Sequence, residues 1–425
     1  MPISLSLPVD QNWSCHACGG CCKQHGIVIT EAERDRVASQ GWTEADGIPA
    51  DWYVEEKSLR GGSWFRMANR EDGSCVFLDE KGLCRIHGKF GEPAKPLACQ
   101  IYPYVFHPAG GRVTVSMRFS CPSVVQNLGT AVADQRTDLQ QIAKQVVPDG
   151  ALDLPPPDLC DGQPLDWSGF RTINRALLAE LTDASVPLAT RLLRALTWVR
   201  ILPQADVGSR KPAELESLLT VFRDAAAVEV RRDAAKWPRP GRTAMTHFRL
   251  LTGQYARRDT HATKAEGLRK RWQLLKSAIG LTTGRGVSEA IGEEFASVDL
   301  TALFGESAAF PPDVEAMLTR LLRVKVEGLH YCGRPFYGYG LVDGFCALAA
   351  MVAAVSVLAR WNALTREESL STEHFIAAVT TADHNHGFSP AFAQRTFLRR
   401  LRFFDEADEL RPLVRQFVGC DSSES

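Results

Sequence analysis

The sequence predicts a mainly α protein, in which a small, irregular, Cys-rich α+β domain over residues 1–150 precedes a helical domain over residues 151–425. Three observations support this fold class. Eight of the twelve cysteines lie between Cys15 and Cys121, whereas apolar residues recur at helical spacing through the rest of the chain. A run of three prolines, Pro155–Pro157, forms a stiff extended segment that cannot continue a helix. We therefore place the domain boundary just before this segment.

The composition is that of an ordinary globular protein. Hydrophobic residues make up 45% of the 425 residues and charged residues 23%, which provides enough apolar surface for a folded core and excludes a mostly disordered chain. The formal net charge is -1, whereas binding dominated by phosphate contacts requires a surplus of Lys and Arg. We therefore expect no nucleic-acid partner.

The sequence predicts a cytoplasmic protein with no membrane partner. Residues 1–8 lack the basic and continuous apolar regions of a secretory signal. The most apolar stretch, residues 345–359, is shorter than the roughly 20 residues of a membrane-spanning helix, so we expect a buried core helix. In a reducing cytoplasm, clustered cysteines indicate metal ligands or redox groups before disulfides.

The Cys-rich part is predicted to combine turns with short helices and strands. Thr30 and Glu33 have capping-box spacing, which predicts a short helix after the first cysteines. Apolar and polar residues alternate over 113–119, which predicts a strand, and Gly110-Gly111 before it indicates a hairpin. From about 123 to 147 the pattern becomes helical.

The second part is predicted to be a succession of helices. Apolar side chains fall at helical spacing over 188–199 and over 215–226. Further helices are predicted over 262–280, 312–329, 341–362, 372–381 and 388–404. The sequence contains no fixed-period repeat of the kind that solenoids show.

The most informative motif is CHACGGCC at residues 15–22, which has CxxCxxCC spacing. Four thiols within eight residues, in a segment of His, Gly and Lys, do not fit the pattern of buried apolar cysteines. Gly19 and Gly20 allow the backbone to wrap closely around an anionic thiolate–metal centre. The run therefore predicts metal ligation.

Four further thiols occur at intervals that folding could bring together. Asp79–Gly82 separates Cys75 from Cys84 and has the composition of a hairpin turn, which would place these two thiols side by side. The candidate metal ligands are Cys15, Cys18, Cys21, Cys22, Cys75, Cys84, Cys99 and Cys121. Eight thiols match two four-cysteine sites, or one site and a redox pair.

The residue types leave zinc and an iron–sulfur cluster open, because four-cysteine sets bind both. We favour an iron–sulfur cluster, of the 4Fe-4S type. Four histidines near the thiols are interpreted as exposed or neighbouring residues: His16, His25, His87 and His107. The alternative is that His16 or His87 replaces a thiol. A thiol–disulfide function of the adjacent pair Cys21-Cys22 ranks last, because vicinal cysteines bridge only with strain.

Two motifs in the second part each allow a structural and a functional interpretation. The aromatic, Gly-rich loop 331–340 is interpreted as a packed loop, with a cofactor or lysine pocket as the alternative, since aromatic faces attract cations. Residues 384–387 (HNHG) are predicted to form a solvated turn, with a metal site as the alternative. Asp343 is interpreted as a helix-terminal charge. Three cysteines are treated as structural or incidental: Cys160, Cys346 and Cys420.

These motifs resemble the CxxCxxCC cysteine-cluster family of zinc- or iron-chelating proteins. The matching pieces are CHACGGCC with the following Ile27–Glu31, then CVFLDEKGLCRIH from Cys75, and KPLACQIYPYVF around Cys99. FSCP at Phe119–Pro122, together with the chain length, is similar to the longer branch that includes flagellin lysine-N-methylase. The resemblance covers about residues 13–125.

The methylase resemblance implies transfer of a methyl group from S-adenosylmethionine to lysine ε-amines of flagellin. The cysteine cluster would hold the metal centre, and the helical part would shape the substrate site. The chain has no nucleotide-binding G-x-G-x-x-G after a strand and no Cx3Cx2C run, so catalytic and S-adenosylmethionine-binding residues stay unassigned. Two hypotheses follow: a metal-dependent protein-lysine N-methylase, or a non-enzymatic zinc- or iron-chelating protein whose structural metal site stabilises a module for a protein partner.

Overall fold

Helices make up most of the structure. The protein is represented by a computed structural model that describes residues 3–57, 63–233, 237–257, 267–291 and 294–419. The described chain is 56% helical and contains seventeen α-helices and two small three-stranded sheets. The strands all lie in the Cys-rich region of this described chain, and helices follow. The predicted fold class is therefore confirmed.

The helices of the Cys-rich region are short, and those that follow it are longer. The first group comprises α1 (Gly20–Gln24), α2 (Glu31–Ala38), α3 (Arg85–Phe90), α4 (Leu97–Ile101), α5 (Pro122–Val125) and α6 (Arg136–Val146). The second group comprises α7 (Trp167–Leu181), α8 (Leu188–Val199), α9 (Pro212–Asp233), α10 (Arg242–Ala256), α11 (Gly267–Thr283), α12 (Leu300–Leu303), α13 (Pro312–Glu327), α14 (Leu341–Arg366), α15 (Thr372–Asn385), α16 (Arg395–Glu406) and α17 (Leu410–Val418).

The predicted helices of the second part are present with shifted ends. Of the helix predicted over 262–280, residues 262–266 lie outside the described residues and the remainder belongs to α11. The helix predicted over 388–404 begins as a 3-10 turn at Pro390–Ala393 and continues as α16. Likewise, the helical pattern over 123–147 divides into α5, a 3-10 turn and α6.

Each small sheet has three strands. The first has the order β1-β6-β5 and is formed by β1 (Leu5–Ser6), β5 (Tyr104–Pro108) and β6 (Val113–Met117). β1 is parallel to β6, and β5 is antiparallel to β6 with Tyr104 opposite Met117. The second has the order β2-β4-β3, is antiparallel throughout, and is formed by β2 (Val28–Ile29), β3 (Tyr53–Lys57) and β4 (Ser63–Met67). The predicted strand and its Gly110-Gly111 hairpin are confirmed.

Buried side chains form two hydrophobic cores. The larger core joins β6 and the segment after it to the long helices, with Val115 and Phe119 in the same cluster as Phe170 and Leu318. The smaller core belongs to the Cys-rich region and is built from Ile29, Val37, Ile48, Trp52, Met67, Cys75, Val76, Phe77 and Ile86. The β1-β6-β5 sheet thus shares a core with the helices, whereas the β2-β4-β3 sheet belongs to the smaller core.

Helix α14 runs through the middle of the larger core. Every residue over 341–359 is buried, as expected for a helix that is apolar on all faces. In the described chain this is the one helix long and apolar enough to cross a membrane, and its apolar stretch lies entirely inside the protein. The predicted core helix is therefore confirmed. At the first turn of α14, the carboxylate of Asp343 pairs with the Arg402 guanidinium at 2.8 Å, which fits the predicted helix-terminal charge.

The segment 384–387 is not a solvated turn, contrary to the sequence prediction. His386 is fully buried, and its Nδ1 lies 2.9 Å from the hydroxyl of Tyr255. The side-chain amide of Asn385 donates to the carbonyl oxygens of Tyr255 and Arg257. Because these hydrogen bonds join the ends of α10 and α15, the segment is drawn into the interior.

The aromatic loop 331–340 packs into the larger core, which supports its structural interpretation. Tyr331 and Phe336 are fully buried, and the Tyr331 hydroxyl donates to the side-chain oxygen of Asn174 at 2.7 Å. Of the cysteines treated as structural, Cys346 is buried and Cys160 half-buried. Cys420 lies outside the described residues.

Candidate metal centre

Six of the eight candidate cysteines line one cavity of about 510 Å³. They come from three separate segments of the chain, so only the folded domain brings their thiols to the same place. The six are Cys15, Cys21, Cys22, Cys75, Cys84 and Cys99.

The CxxCxxCC run reaches the cavity through a tight turn followed by α1. Ala17 (φ 54°) and Gly19 (φ 67°) both have left-handed backbone, and this conformation is costly for a residue with a side chain such as alanine. Helix α1 then begins at Gly20 and places Cys21 and Cys22 in its first turn, with their sulfur atoms 3.9 Å apart.

The predicted turn between Cys75 and Cys84 is present. The N–H of Asp79 donates to the carbonyl of Leu83 at 2.8 Å and closes the turn, and both thiols line the cavity. The Cys75 N–H donates to the Cys22 carbonyl at 2.8 Å, which fixes this segment against the first run.

Gly82 in this turn lies directly against the first cysteine run. Its φ is 79°, and a Cβ atom at Gly82 would lie only 2.9 Å from the Ala17 carbonyl oxygen. The position therefore requires glycine both for its backbone conformation and for the close approach of the two cysteine-bearing segments.

Cys99 is positioned through the capping box of α2. The side chain of Thr30 accepts from the Glu33 N–H, and the Glu33 carboxylate accepts from the Thr30 N–H, which confirms the predicted box. The same carboxylate accepts from the N–H of Leu97 at 2.7 Å, at the start of α4, the helix that carries Cys99. Burial opposes ionisation of Glu33, but these backbone hydrogen bonds outweigh it and lower the pKa of the carboxyl group.

Burial and mutual charge raise the pKa values of the cavity thiols. Burial, followed by the charge of the Cys84 thiolate, raises the pKa of Cys75 to about 11. Burial and the charges of Cys75 and Cys84 also raise the pKa of Cys99. The hydrogen bond to Cys22, followed by burial, raises the pKa of Cys21. These three thiols are therefore protonated at neutral pH unless a bound cation stabilises their thiolates.

Cys18 and Cys121 stand apart from the cavity wall. Cys18 is exposed, whereas Cys121 is buried at the start of α5. Burial raises the pKa of Cys121, and the charge of Cys18 adds to that effect. Main-chain hydrogen bonds from Trp13 to Thr130 and from Ser14 to Leu128 bring the start of the first run beside α5.

The four histidines near the thiols occupy different positions. His16 is exposed, and its Nδ1 lies 2.8 Å from the Ser14 carbonyl oxygen. His25 and His87 both line the cavity, and His87 is exposed. His107 lies in the interior against His330, with ring centroids 5.2 Å apart.

Three further cavity-lining side chains did not emerge from the sequence. Lys95 and Tyr102 flank Cys99 in KPLACQIY, and their closeness to Cys99 along the chain could have indicated that they line the same site. Arg118 also lines the cavity. It directly follows the buried strand β6 and precedes the buried Phe119. A charged residue inside such an apolar stretch could have indicated a functional position.

The thiols line an open cavity and do not converge on a single point. Over the residues that the structure describes, no group of three or more His, Cys, Asp or Glu side chains is placed to hold one metal ion. Within the same described residues, Cys21 and Cys22 are the one pair of thiols in hydrogen-bonding contact. The cavity wall combines the six thiols with apolar residues, including Ile27, Phe77 and Ile86.

A comparison with known protein families gives one match, over the Cys-rich region. Residues 14–123 match the CxxCxxCC family, described as "Putative zinc- or iron-chelating domain". The match covers about a quarter of the chain and contains all eight candidate cysteines, from Cys15 to Cys121. No curated protein and no solved structure matches the chain.

Proposed function

We propose that this protein is a thiolate metalloprotein whose Cys-rich region holds an iron–sulfur cluster of the 4Fe-4S type. The observation that carries the proposal is the convergence of six thiols, from three segments of the chain, on one cavity of about 510 Å³. The zinc- or iron-chelating family match over residues 14–123 supports metal binding in the same region.

The size of the cavity favours a cluster over a single ion. A zinc ion holds its four thiolate sulfurs at about 2.3 Å, and so about 3.8 Å from one another, which leaves no space between them. In an iron–sulfur cluster the thiolates bind different iron atoms and surround a body of several atoms. Thiols arranged around an open space suit the second geometry. Such a cluster would supply one-electron transfer and a rigid cross-link between the three segments.

Cys21, Cys75, Cys84 and Cys99 are the proposed ligands of the cavity cluster. All four thiols line the cavity, and the charges of Cys75, Cys84 and Cys21 all act on the pKa of Cys99, which supports this set. Cys18 and Cys121 do not line the cavity and would belong to a second site, and the charge of Cys18 acts on the pKa of Cys121. Cys15 and Cys22 also line the cavity and are not assigned to either site.

A closed zinc site in a module for a protein partner is the second candidate. It is favoured by one distance, since the 3.9 Å between the sulfur atoms of Cys21 and Cys22 fits two ligands of a tetrahedral zinc ion. In that case the metal would contribute folding free energy to the Cys-rich region without taking part in chemistry.

Protein-lysine N-methylation with S-adenosylmethionine is the proposed activity if the centre is catalytic. The cavity volume of about 510 Å³ falls in the usual range of small-molecule sites, which leaves room for a substrate. Radiolabelled S-adenosylmethionine, offered to the anaerobic protein with a flagellin as substrate, tests the activity. Label on flagellin lysines supports methylation, and no label with a fully metal-loaded protein contradicts it.

The visible spectrum of a matched pair of variants tests the metal proposal. We expect Cys99→Ser to lose the broad visible absorption of an iron–sulfur cluster, because Cys99 lines the cavity. Cys160→Ser is the control, since Cys160 is half-buried and lies outside the cavity, and it should keep that absorption. Equal spectra for the two variants would contradict the proposed ligand set.

A further inference from the structure

Arg118 is a guanidinium on the cavity wall that lacks a carboxylate partner. Its Cζ lies 3.4 Å from the ring centroid of Phe388, and its Nη2 donates weakly to the His384 carbonyl at 3.4 Å. Its Nε is buried without a hydrogen-bond partner, and within the described ranges no carboxylate lies at ion-pair distance from Arg118. The Arg118 side chain is half-buried, and partial burial of a guanidinium without a counter-charge favours the binding of an anion.

The nearest acidic group is already committed to other partners. The charge of Asp383 acts on Arg118, but one carboxylate oxygen of Asp383 pairs with the Lys325 ammonium at 2.5 Å. The other oxygen accepts from the Ser120 N–H at 2.8 Å. Lys325 and Asp383 therefore neutralise each other, and the positive charge of Arg118 remains uncompensated.

His25 adds a second unsatisfied polar group on the same wall. Its ring stacks on that of His384 with centroids 5.3 Å apart, and its Nε2 is buried without a hydrogen-bond partner. A neutral imidazole with Nε2 protonated can donate one hydrogen bond to an acceptor.

The two cations of the cavity wall have different neighbours. Lys95 pairs with Glu92 at 3.2 Å. The Arg118 guanidinium lies 5.9 Å from the ring centroid of Tyr102, and the rings of Tyr102 and His25 have centroids 5.1 Å apart. Arg118, Tyr102 and His25 therefore form one part of the cavity wall.

We propose that the cavity binds a small carboxylate ligand with an apolar body, whose anionic group contacts Arg118 and His25 and whose body occupies the rest of the thiol-lined cavity. Carboxylates are the usual partners of arginine because the guanidinium N–H groups match their geometry. The apolar residues that line the same cavity, including Ile27 and Ile86, suit an apolar body. This inference deepens the proposed function, and rests on it in placing the ligand beside the metal centre.

Fluorine NMR with 4-fluorobenzoate tests the proposal on the full chain, purified anaerobically with its metal content measured. The matched ligand is 4-fluorobenzamide, which has the same shape without the charge. We expect millimolar or tighter binding of the benzoate and at least about tenfold weaker binding of the benzamide. Equal binding of the two, or no binding of the benzoate at millimolar concentration, would overturn the proposal.

Two arginine variants assign the anionic contact. Arg118→Gln should weaken benzoate binding at least about tenfold while the metal content stays at the wild-type level. Arg399→Gln, at an exposed position on α16, should bind the benzoate as the wild type does. Wild-type affinity in Arg118→Gln overturns the proposal, whereas absence of metal from the wild-type protein refutes only the proposed metal centre.

A glycine pair keeps the test decisive if Arg118→Gln fails to fold. Gly88 lines the cavity on α3, and a Cβ there would meet no atom within 4 Å, so the backbone at this position accepts the side chain that Gly88→Phe adds at the cavity wall. Gly280 on α11 is equally open but lies outside the cavity. Loss of benzoate binding in Gly88→Phe but not in Gly280→Phe supports the proposal, and unchanged binding in both contradicts it.

Discussion

The carboxylate of Asp383 accepts a hydrogen bond from the backbone N–H of Ser120 at 2.8 Å. Ser120 directly precedes Cys121, and Asp383 lies on α15 of the helical region. A buried acid of the helices therefore holds the backbone beside one of the candidate metal ligands. The partner of this acid is Lys325, and both side chains are fully buried.

Breaking this buried ion pair should destabilise the protein. We expect Lys325→Met to lower the free energy of unfolding by about 3–5 kcal/mol, because it leaves the Asp383 carboxylate buried without its counter-charge. The measurement is urea unfolding followed by circular dichroism. Lys276→Met, at an exposed position, is the control and should change the value by less than about 0.5 kcal/mol. Similar losses of unfolding free energy in the two variants would show that the buried Asp383 carboxylate does not need Lys325 as its counter-charge.

The contact between the two cysteine-bearing segments can be tested at a glycine. Gly82→Ala should lose both stability and bound metal, because the new Cβ would approach the Ala17 carbonyl oxygen to 2.9 Å. Gly41→Ala is the matched control, since Gly41 also has a positive φ (71°) but has no atom within 4 Å of its Cβ position. The control should lose only the roughly 1–2 kcal/mol of left-handed strain and keep its metal. The measurements are metal analysis and urea unfolding of both variants. Equal losses of metal and stability in the two would show that the contact of Gly82 with Ala17 is not required.

The buried histidines predict a loss of stability in mild acid. Burial, and then the charge of Lys325, lower the pKa of His107 to about 3, and burial likewise lowers the pKa values of His330 and His386. Above about pH 6.5 neither state is protonated at these sites, so stability does not depend on them. Below that pH the unfolded chain takes up protons that the folded chain does not, and stability falls as the pH approaches 3.

Urea unfolding between pH 7.5 and 5 measures this effect. Each of these histidines contributes a slope of up to about 1.4 kcal/mol per pH unit below pH 6.5. His107→Gln should reduce the slope, whereas His16→Gln, at an exposed position, should leave it unchanged. If the free energy of unfolding had the same pH slope in the wild type and in His107→Gln, His107 would not be a source of the acid sensitivity.

The partition of the thiols predicts a graded loss of metal. Cys21→Ser should lose the metal of the cavity, whereas Cys121→Ser should lose only that of the second proposed site, because Cys121 lies outside the cavity wall. Metal content per chain, measured on anaerobically purified protein, distinguishes the two. Complete loss of metal in both variants would indicate a single shared centre and contradict the partition.

Local motifs made much of the site predictable from the sequence. The capping box of Thr30 and Glu33 and the turn at Asp79–Gly82 depend on residues close together along the chain, and both are present in the structure. The cysteine spacing likewise identified the thiols that line the cavity. Such features can be predicted from the sequence because their geometry is fixed by residues a few positions apart.

Contacts between distant segments were not predictable in this way. The second role of Glu33, which accepts from Leu97, joins residues that are 64 positions apart. His386 reads as part of a polar turn, yet its contact with Tyr255, 131 positions away, buries it. Arg118 gave only an indirect signal, because its place on the cavity wall depends on how β6 packs against the helices.

The iron and acid-labile sulfide content of the anaerobically purified chain tests the central claim most directly. Our account predicts iron and sulfide in equal amounts, at about four or more of each per chain, with absorption across the visible range. Colourless protein that contains stoichiometric zinc and no sulfide would contradict it and favour the closed structural site.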